Sequence, residues 1–179
     1  MKILFEEFFE RLDRRGFKEI GCGDYARVFQ HPRNSNTVIK VSVNEDDGAI
    51  NWLRWCRDNP SRYVPRVRAV IEIQLQRNEY SIPYFIAYME LLTEADVDEI
   101  NSFIQVNQLS TIIKPLCIGD DGTQHWSLDA RELNAINDPE LYRTIDAIQQ
   151  MCELTYADLK VSNFMLRGSQ VVITDPVPY

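Results

Sequence analysis

A lysine set inside an apolar strand constrains this chain more than any other residue. Lys40 stands in Thr37-Val38-Ile39-Lys40-Val41, whose β-branched residues mark a strand with at least one buried face. A lysine held there without a polar partner is costly, because an unpaired buried charge forfeits its hydration. The plainer reading is an edge-strand lysine aimed at solvent. Two further strand-like runs precede it, residues 17–20 and 26–31, joined across the turn Gly21-Cys22-Gly23-Asp24. A second turn cluster, Pro32-Arg33-Asn34-Ser35-Asn36, leads into the lysine strand at residues 37–43. Consecutive strands joined by such short turns pair antiparallel, so the first third of the chain is expected to build a sheet around Lys40.

The flanking segments extend this outline. Residues 2–15 read as a helix, with Leu4, Phe5, Phe8, Phe9 and Leu12 on one stripe and Gly16 placed to end it. Asn44-Glu45-Asp46-Asp47-Gly48 reads as a helix start, with acids at the positive end of the dipole. That helix should run through Ile50, Leu53, Trp55 and Cys56 to about Arg57. Residues 67–76 and 82–91 are strand-like, separated by a polar turn at 77–81. From Thr93 the pattern turns helical, over 95–108 and 139–154, with a turn at 119–123. The expected class is α+β, with residues 1–92 forming a small antiparallel-sheet domain and residues 93–179 a mainly helical one.

Bulk properties exclude several functions. Apolar residues make up 45% of the 179, with only 7 Gly and 8 Pro, which indicates a folded globule rather than disorder. No apolar run approaches the roughly 18 residues of a membrane span. Met1-Lys2-Ile3-Leu4-Phe5 passes at once into Glu6 and Glu7, unlike a secretory leader, so a cytoplasmic protein is expected. The four cysteines (22, 56, 117, 152) form no C-x-x-C pair, and the two histidines are far apart, so structural zinc and a disulfide framework are disfavoured. A net charge of −8 argues against direct nucleic-acid binding. It suits basic partners, or simply a well-solvated surface.

Near the end of the chain stands Asp158-Leu159-Lys160-Val161-Ser162-Asn163, with Asp175 twelve residues beyond Asn163. Two carboxylates, an amide and a lysine at this spacing suit magnesium binding and phosphoryl transfer. Each element alone has an ordinary reading: a glycine hairpin, a helix end with a solvated turn, a strand-to-turn aspartate before Pro176. Their order is what carries information: glycine loop, strand lysine, D-x-K-x-x-N, strand-terminal Asp.

In that order the chain resembles a protein kinase, and more narrowly the early serine/threonine protein kinases of short-tailed lytic enterobacterial phages. The residues that carry this are Gly21 to Val28 with Phe29 and His31-Pro32, Val38-Ile39-Lys40-Val41, and Glu45-Asp46. Asp158 with Ser162-Asn163-Phe164-Met165, and Ile173-Thr174-Asp175-Pro176-Val177, complete the set. The likeness spans about residues 18–179, dense in the first third and the last 25 or so. It implies a kinase-like bilobal fold with a truncated second lobe. It further implies ATP and Mg2+ as cofactors, and phosphorylation of host proteins, transcription or defence machinery among them, in the host cytoplasm.

Carried over residue by residue, the resemblance assigns Gly21, Gly23, Ala26 and Val28 to the loop over the phosphates, and Lys40 to the α- and β-phosphates. Asp158 would orient or deprotonate the acceptor hydroxyl, and Lys160 would offset charge on the γ-phosphoryl oxygens. Asn163 and Asp175 would ligate magnesium. Backbone groups of Glu90 to Leu92 would meet adenine, with Ile20, Val28 and Met165 as apolar walls. The chain also departs from the pattern. Tyr156-Ala157 replaces the usual His-Arg, and Asp175-Pro176-Val177 replaces Asp-Phe-Gly. The helix after Lys40 has no interior glutamate, leaving Glu45, Asp46 or Asp58 as the acidic partner. The sequence ends at Tyr179, soon after Asp175, so no activation segment is expected. Two readings follow: a minimal kinase, or a kinase-like nucleotide-binding protein that inhibits a host factor by contact. A small-molecule kinase would need a larger helical substrate region.

Overall fold

In the computed structural model, which describes residues 3–23, 26–43, 47–77, 79–118, 124–152 and 157–177, Lys40 lies on an inner strand of a six-stranded sheet. The strands are β1 (Ile3–Leu4), β2 (Lys18–Cys22), β3 (Ala26–His31), β4 (Asn34–Val43), β5 (Val67–Arg77) and β6 (Tyr80–Glu90). Their order is β1-β5-β6-β4-β3-β2. All pairings are antiparallel except β1 with β5. Helices α1 (Phe5–Arg14) and α2 (Asp47–Asp58) belong to the same unit, which comprises residues 1–58 and 66–91.

Alternation along β4 sorts its side chains between two faces. Ile39 and Val41 pack with Phe29, Tyr84, Ile86 and Leu75 against Leu12 of α1, and Phe5, Phe8 and Phe9 adjoin that cluster. Burying an apolar side chain of this size is worth about 1.5–3 kcal/mol. Packing therefore holds a helix of 10 residues that would be too short to persist alone. Gly16 follows at φ +81°, and a Cβ there would meet Pro32 Cβ at 3.3 Å, so the chain reversal after α1 needs glycine. Val38, Ser42, Phe85 and Ala87 are buried on the opposite face. There α2 packs, with Arg54 paired to Glu72 of β5.

Several boundaries differ from the sequence reading. Ile3 and Leu4 are not helical; they pair with Leu75 and Gln76, and the edge of the sheet gains a sixth strand. Strand β4 starts at Asn34 rather than 37, because His31 already pairs with Asn34 and only Pro32-Arg33 is needed for the turn. The acidic helix start at 44–46 lies outside the described residues, and α2 begins at Asp47.

The second unit comprises residues 59–65 and 92–179. It contains β7 (Thr93–Glu94), α3 (Val97–Val106), β8 (Ile113–Ile118), β9 (Gln124–Leu128) and α4 (Pro139–Met151), with a 3-10 helix at Ala130–Ala135 before α4. β10 (Leu159–Lys160), a single 3-10 turn (Val161–Asn163), β11 (Phe164–Arg167) and β12 (Gln170–Ile173) follow. Two three-stranded antiparallel sheets result, β10-β9-β8 and β12-β11-β7. The helices expected over 95–108 and 139–154 are present as α3 and α4, and among the described residues six short strands that were not expected stand beside them. Strands of two to six residues are too short for alternation to declare them.

Both helices are capped. Asp96 and Glu99 form a reciprocal capping box on α3, at 2.8 and 2.9 Å. Asp138 accepts from the Glu140 and Leu141 N–H groups at 2.9 and 3.2 Å, with Pro139 at the first helical position of α4. The segment 59–65 is tied into this unit through Tyr63, whose carbonyl accepts from Ile173 N–H at 2.8 Å and whose hydroxyl donates to Asp138 at 2.8 Å. Among the described residues no helix is long and apolar enough to cross a membrane.

Candidate active site

Two of the residues singled out in the D-x-K-x-x-N run meet on the third, Asp158. Asn163, only 6% exposed, donates through Nδ2 to the Asp158 carbonyl at 2.7 Å and to its Oδ2 at 3.0 Å. Lys160 Nζ lies 3.1 Å from the same Oδ2. The single 3-10 turn over Val161–Asn163 brings the amide back over Asp158. An extended chain would have carried it away.

Asp175 is held to this cluster by backbone on either side. Thr174 donates through N–H (2.9 Å) and Oγ1 (3.1 Å) to the Asn163 carbonyl, and Asp158 N–H donates to the Pro176 carbonyl at 2.8 Å. The buried Cys152 thiol reaches the same Pro176 oxygen at 3.9 Å, and its burial pushes the thiol pKa up. The segment 174–176 is therefore strapped to the Asp158–Asn163 run at both of its ends.

This geometry has chemical consequences. Both Nδ2 hydrogens of Asn163 point at Asp158, so its Oδ1 is the group left to meet a cation. With Asp175 it offers hard oxygen donors of the kind magnesium takes, one or two carboxylates with water completing the shell. One oxygen of Asp158, Oδ2, is fixed by an amide and an ammonium, while Oδ1 lies outside these two contacts. The Lys160–Asp158 pair is 39% and 27% exposed, so it adds at most about 1 kcal/mol to stability. Its effect is orientation.

The floor beneath is apolar. Leu159 pairs with Trp126, and the Trp126 and Phe164 rings meet edge to face at 5.5 Å. Lys160 and Met165 line a hollow of about 500 Å³ together with Glu94, Ser162 and Phe164. Trp126 had no distinguishing mark in the sequence, because it acts through packing; Thr174 and Pro176 were noted only as neighbours of Asp175, and their bonds to Asn163 and Asp158 were not foreseen.

In the first unit three of the residues expected around phosphates, Gly21, Val28 and Lys40, fall on one line across the sheet, while Ala26 pairs with Ser42. Gly21 pairs with Val28, Val28 with Lys40, and Lys40 with Ala87. Laterally paired residues share a face, so Val28 and Ala87 flank Lys40. Gly23 N–H donates to the Ala26 carbonyl at 2.8 Å and narrows the hairpin; Asp24 and Tyr25 lie outside the described residues. Nothing in the fold itself requires glycine here. A Cβ on Gly21 would meet Val28 Cβ at an ordinary 3.8 Å, and one on Gly23 would meet nothing within 4 Å. Gly23 leaves open space beside its backbone. Ile20, beside Gly21, is 44% exposed.

Two assignments are adjusted. Asp58, one of the three acids considered for Lys40, is exposed and forms a two-pronged pair with Arg57 at 2.8 and 3.0 Å, which lowers its pKa. Glu45 and Asp46 lie outside the described residues. At the end of β6, Glu90 N–H donates to the Arg66 carbonyl (3.1 Å) and Leu91 N–H to the Asn36 carbonyl (2.9 Å). The Glu90 carboxylate accepts from Arg66 N–H at 2.8 Å. Neither N–H is left for adenine, and Leu92, the remaining residue of that trio, is buried.

Sequence reading also missed an anchor. Asp138 accepts from the Tyr63 hydroxyl and pairs with Arg62. Burial, then the bond to Asp138, push the Tyr63 hydroxyl up to about 12. Burial pushes the Asp138 carboxyl up, but the hydrogen bonds from Tyr63, Leu141 N–H, Arg62 and Glu140 N–H outweigh it and hold it at about 2.

Comparison with known proteins assigns the chain to a family of phage protein kinases. The family model that it matches over residues 2–179 is described as Bacteriophage T7 protein kinase 0.7, and the chain belongs to that family. No individual curated protein matches it. The resemblance read from the residues is borne out at the level of the family.

Proposed function

We propose that this protein is an ATP- and magnesium-dependent serine/threonine protein kinase that phosphorylates host proteins in the host cytoplasm, transcription or defence machinery among them. The observation that carries the reading is the closed set at Asp158, to which Lys160 and Asn163 bond directly and the Asp175 segment is strapped. In the first unit, an antiparallel run with the lysine on its third strand and a helix following supports a kinase-like small lobe. On this reading residues 1–92 and 93–179 are the two lobes of the kinase.

The chemistry follows from the residues. Asp158 Oδ1 accepts the hydrogen of a serine or threonine hydroxyl and turns its oxygen toward the γ-phosphorus. That oxygen bonds to phosphorus as the bond to the β-phosphate oxygen breaks, giving phosphoprotein and ADP. Lys160 offsets charge on the transferred oxygens, and Lys40 holds the α- and β-phosphates. Asn163 Oδ1 and Asp175 would hold magnesium, which supplies neutralisation of the phosphate charge.

A second reading has one observation in its favour. With the Glu90 and Leu91 N–H groups committed inside the protein, adenine has fewer donors to meet, which suits a kinase-like protein that inhibits a host factor by contact. Incubation with γ-labelled ATP and host extract separates the two. The kinase reading expects labelled protein with wild type and none with Asp158→Ala or Asp175→Ala. Inhibition of a host factor that survives Lys40→Ala, with no labelling by wild type, favours the second.

A further inference from the structure

We propose that His125 is a further catalytic residue, donating an imidazole N–H to the transferred phosphoryl group beside Lys160. The inference rests on the kinase reading above and extends it to a strand that no part of the motif includes.

The register places the residue. In the β9–β10 pairing Leu159 lies opposite Trp126 and Lys160 opposite His125. Trp126 and Leu159 are 2% and 1% exposed, so that face of the small sheet is core. By alternation, His125 and Lys160 share the other face, and both are part-exposed. Directly opposed residues in an antiparallel pair have Cβ atoms about 5 Å apart. The imidazole is therefore the cross-strand neighbour of the lysine whose ammonium already touches Asp158.

The chemistry of the pair points to a phosphate oxygen. The His125 ring makes no hydrogen bond, ion pair or aromatic contact with any described residue; only its carbonyl is used, by Gln124. A purely structural position on this face would be served by any strand-forming polar residue. Here a rigid donor stands next to a flexible cation, on a strand whose opposite face is anchored by Trp126. A donor of this kind gains most when negative charge arrives between it and the ammonium, so it favours the transition state over the resting site. A metal-ligand role is not supported, since the cross-strand neighbour is a lysine and not a ligating side chain.

The test uses the 179-residue chain and γ-labelled ATP with an accepted protein substrate, comparing wild type, His125→Ala, His125→Gln and Asp158→Ala. His125→Ala should lower kcat about tenfold to a hundredfold with the KM for ATP unchanged. His125→Gln should recover most of that loss, because an amide N–H can occupy the place of the ring N–H. Thermal midpoints of both variants should match wild type. If His125→Ala turns over like wild type, or if both variants lose activity alike and melt early, the inference is overturned. If wild type transfers phosphate and Asp158→Ala does not, the kinase reading stands whichever way His125 falls. If wild type transfers none, the reading and the inference fall together.

Discussion

Replacing Asn163 by alanine should cost both stability and phosphoryl transfer, and the structure sets the scale. Its Nδ2 supplies bonds of 2.7 Å to the Asp158 carbonyl and 3.0 Å to the Asp158 carboxylate. A buried acceptor left without its donor costs about 1–3 kcal/mol. The Asp158 side chain is 27% exposed, so water can replace part of the carboxylate bond but less of the carbonyl bond. The expected loss is about 2 kcal/mol. For a chain of this size that corresponds to a fall in Tm of roughly 4–8 °C. Guanidinium unfolding followed by tryptophan fluorescence provides the assay, since Trp126 packs on Phe164, next to Asn163. Asn163→Asp sharpens the test: it keeps the volume yet turns a donor into an acceptor facing Asp158 Oδ2, and should destabilise at least as much. An Asn163→Ala variant within about 0.5 kcal/mol of wild type would refute the claim that this amide holds Asp158.

Two further outcomes follow from buried groups. Ser42 Oγ is fully buried without a hydrogen-bond partner among the described residues, so Ser42→Ala should leave stability unchanged or raise it by up to about 1 kcal/mol, read from denaturation midpoints. A loss above about 1 kcal/mol would mean that the hydroxyl is bonded after all. Asp138 has its carboxyl lowered from 3.8 to about 2 in the folded chain, so its contribution is present above about pH 4 and is lost as pH falls from there toward 2. Asp138→Asn should flatten the fall of urea midpoints across that window. Identical profiles for the two proteins would contradict the assignment.

How much of this was legible in the sequence depended on element length and on which atoms do the bonding. Strands β4, β5 and β6 span 10 or 11 residues, enough for alternation around Lys40 to appear as a pattern. β10 has two residues and owes its strand geometry to Trp126 and His125 opposite, so nothing local announces it. The Asp158, Lys160 and Asn163 set was readable because its chemistry lies in side chains at fixed spacing. The straps through Thr174 and Pro176 were not, since apart from the Thr174 hydroxyl they use backbone bonds open to almost any residue. The commitment of the Glu90 and Leu91 N–H groups was hidden for the same reason: it depends on how Asn36 and Arg66 fall beside β6, which no local pattern encodes.

The most direct measurement is transfer of the γ-phosphate of ATP to protein, with magnesium and with a chelator, for wild type, Lys40→Ala, Asp158→Ala and Asp175→Ala. The account predicts labelled serine or threonine with wild type and magnesium alone, and loss of label in the chelated sample and in all three variants. Labelling by Asp158→Ala and Asp175→Ala at the wild-type rate would contradict it.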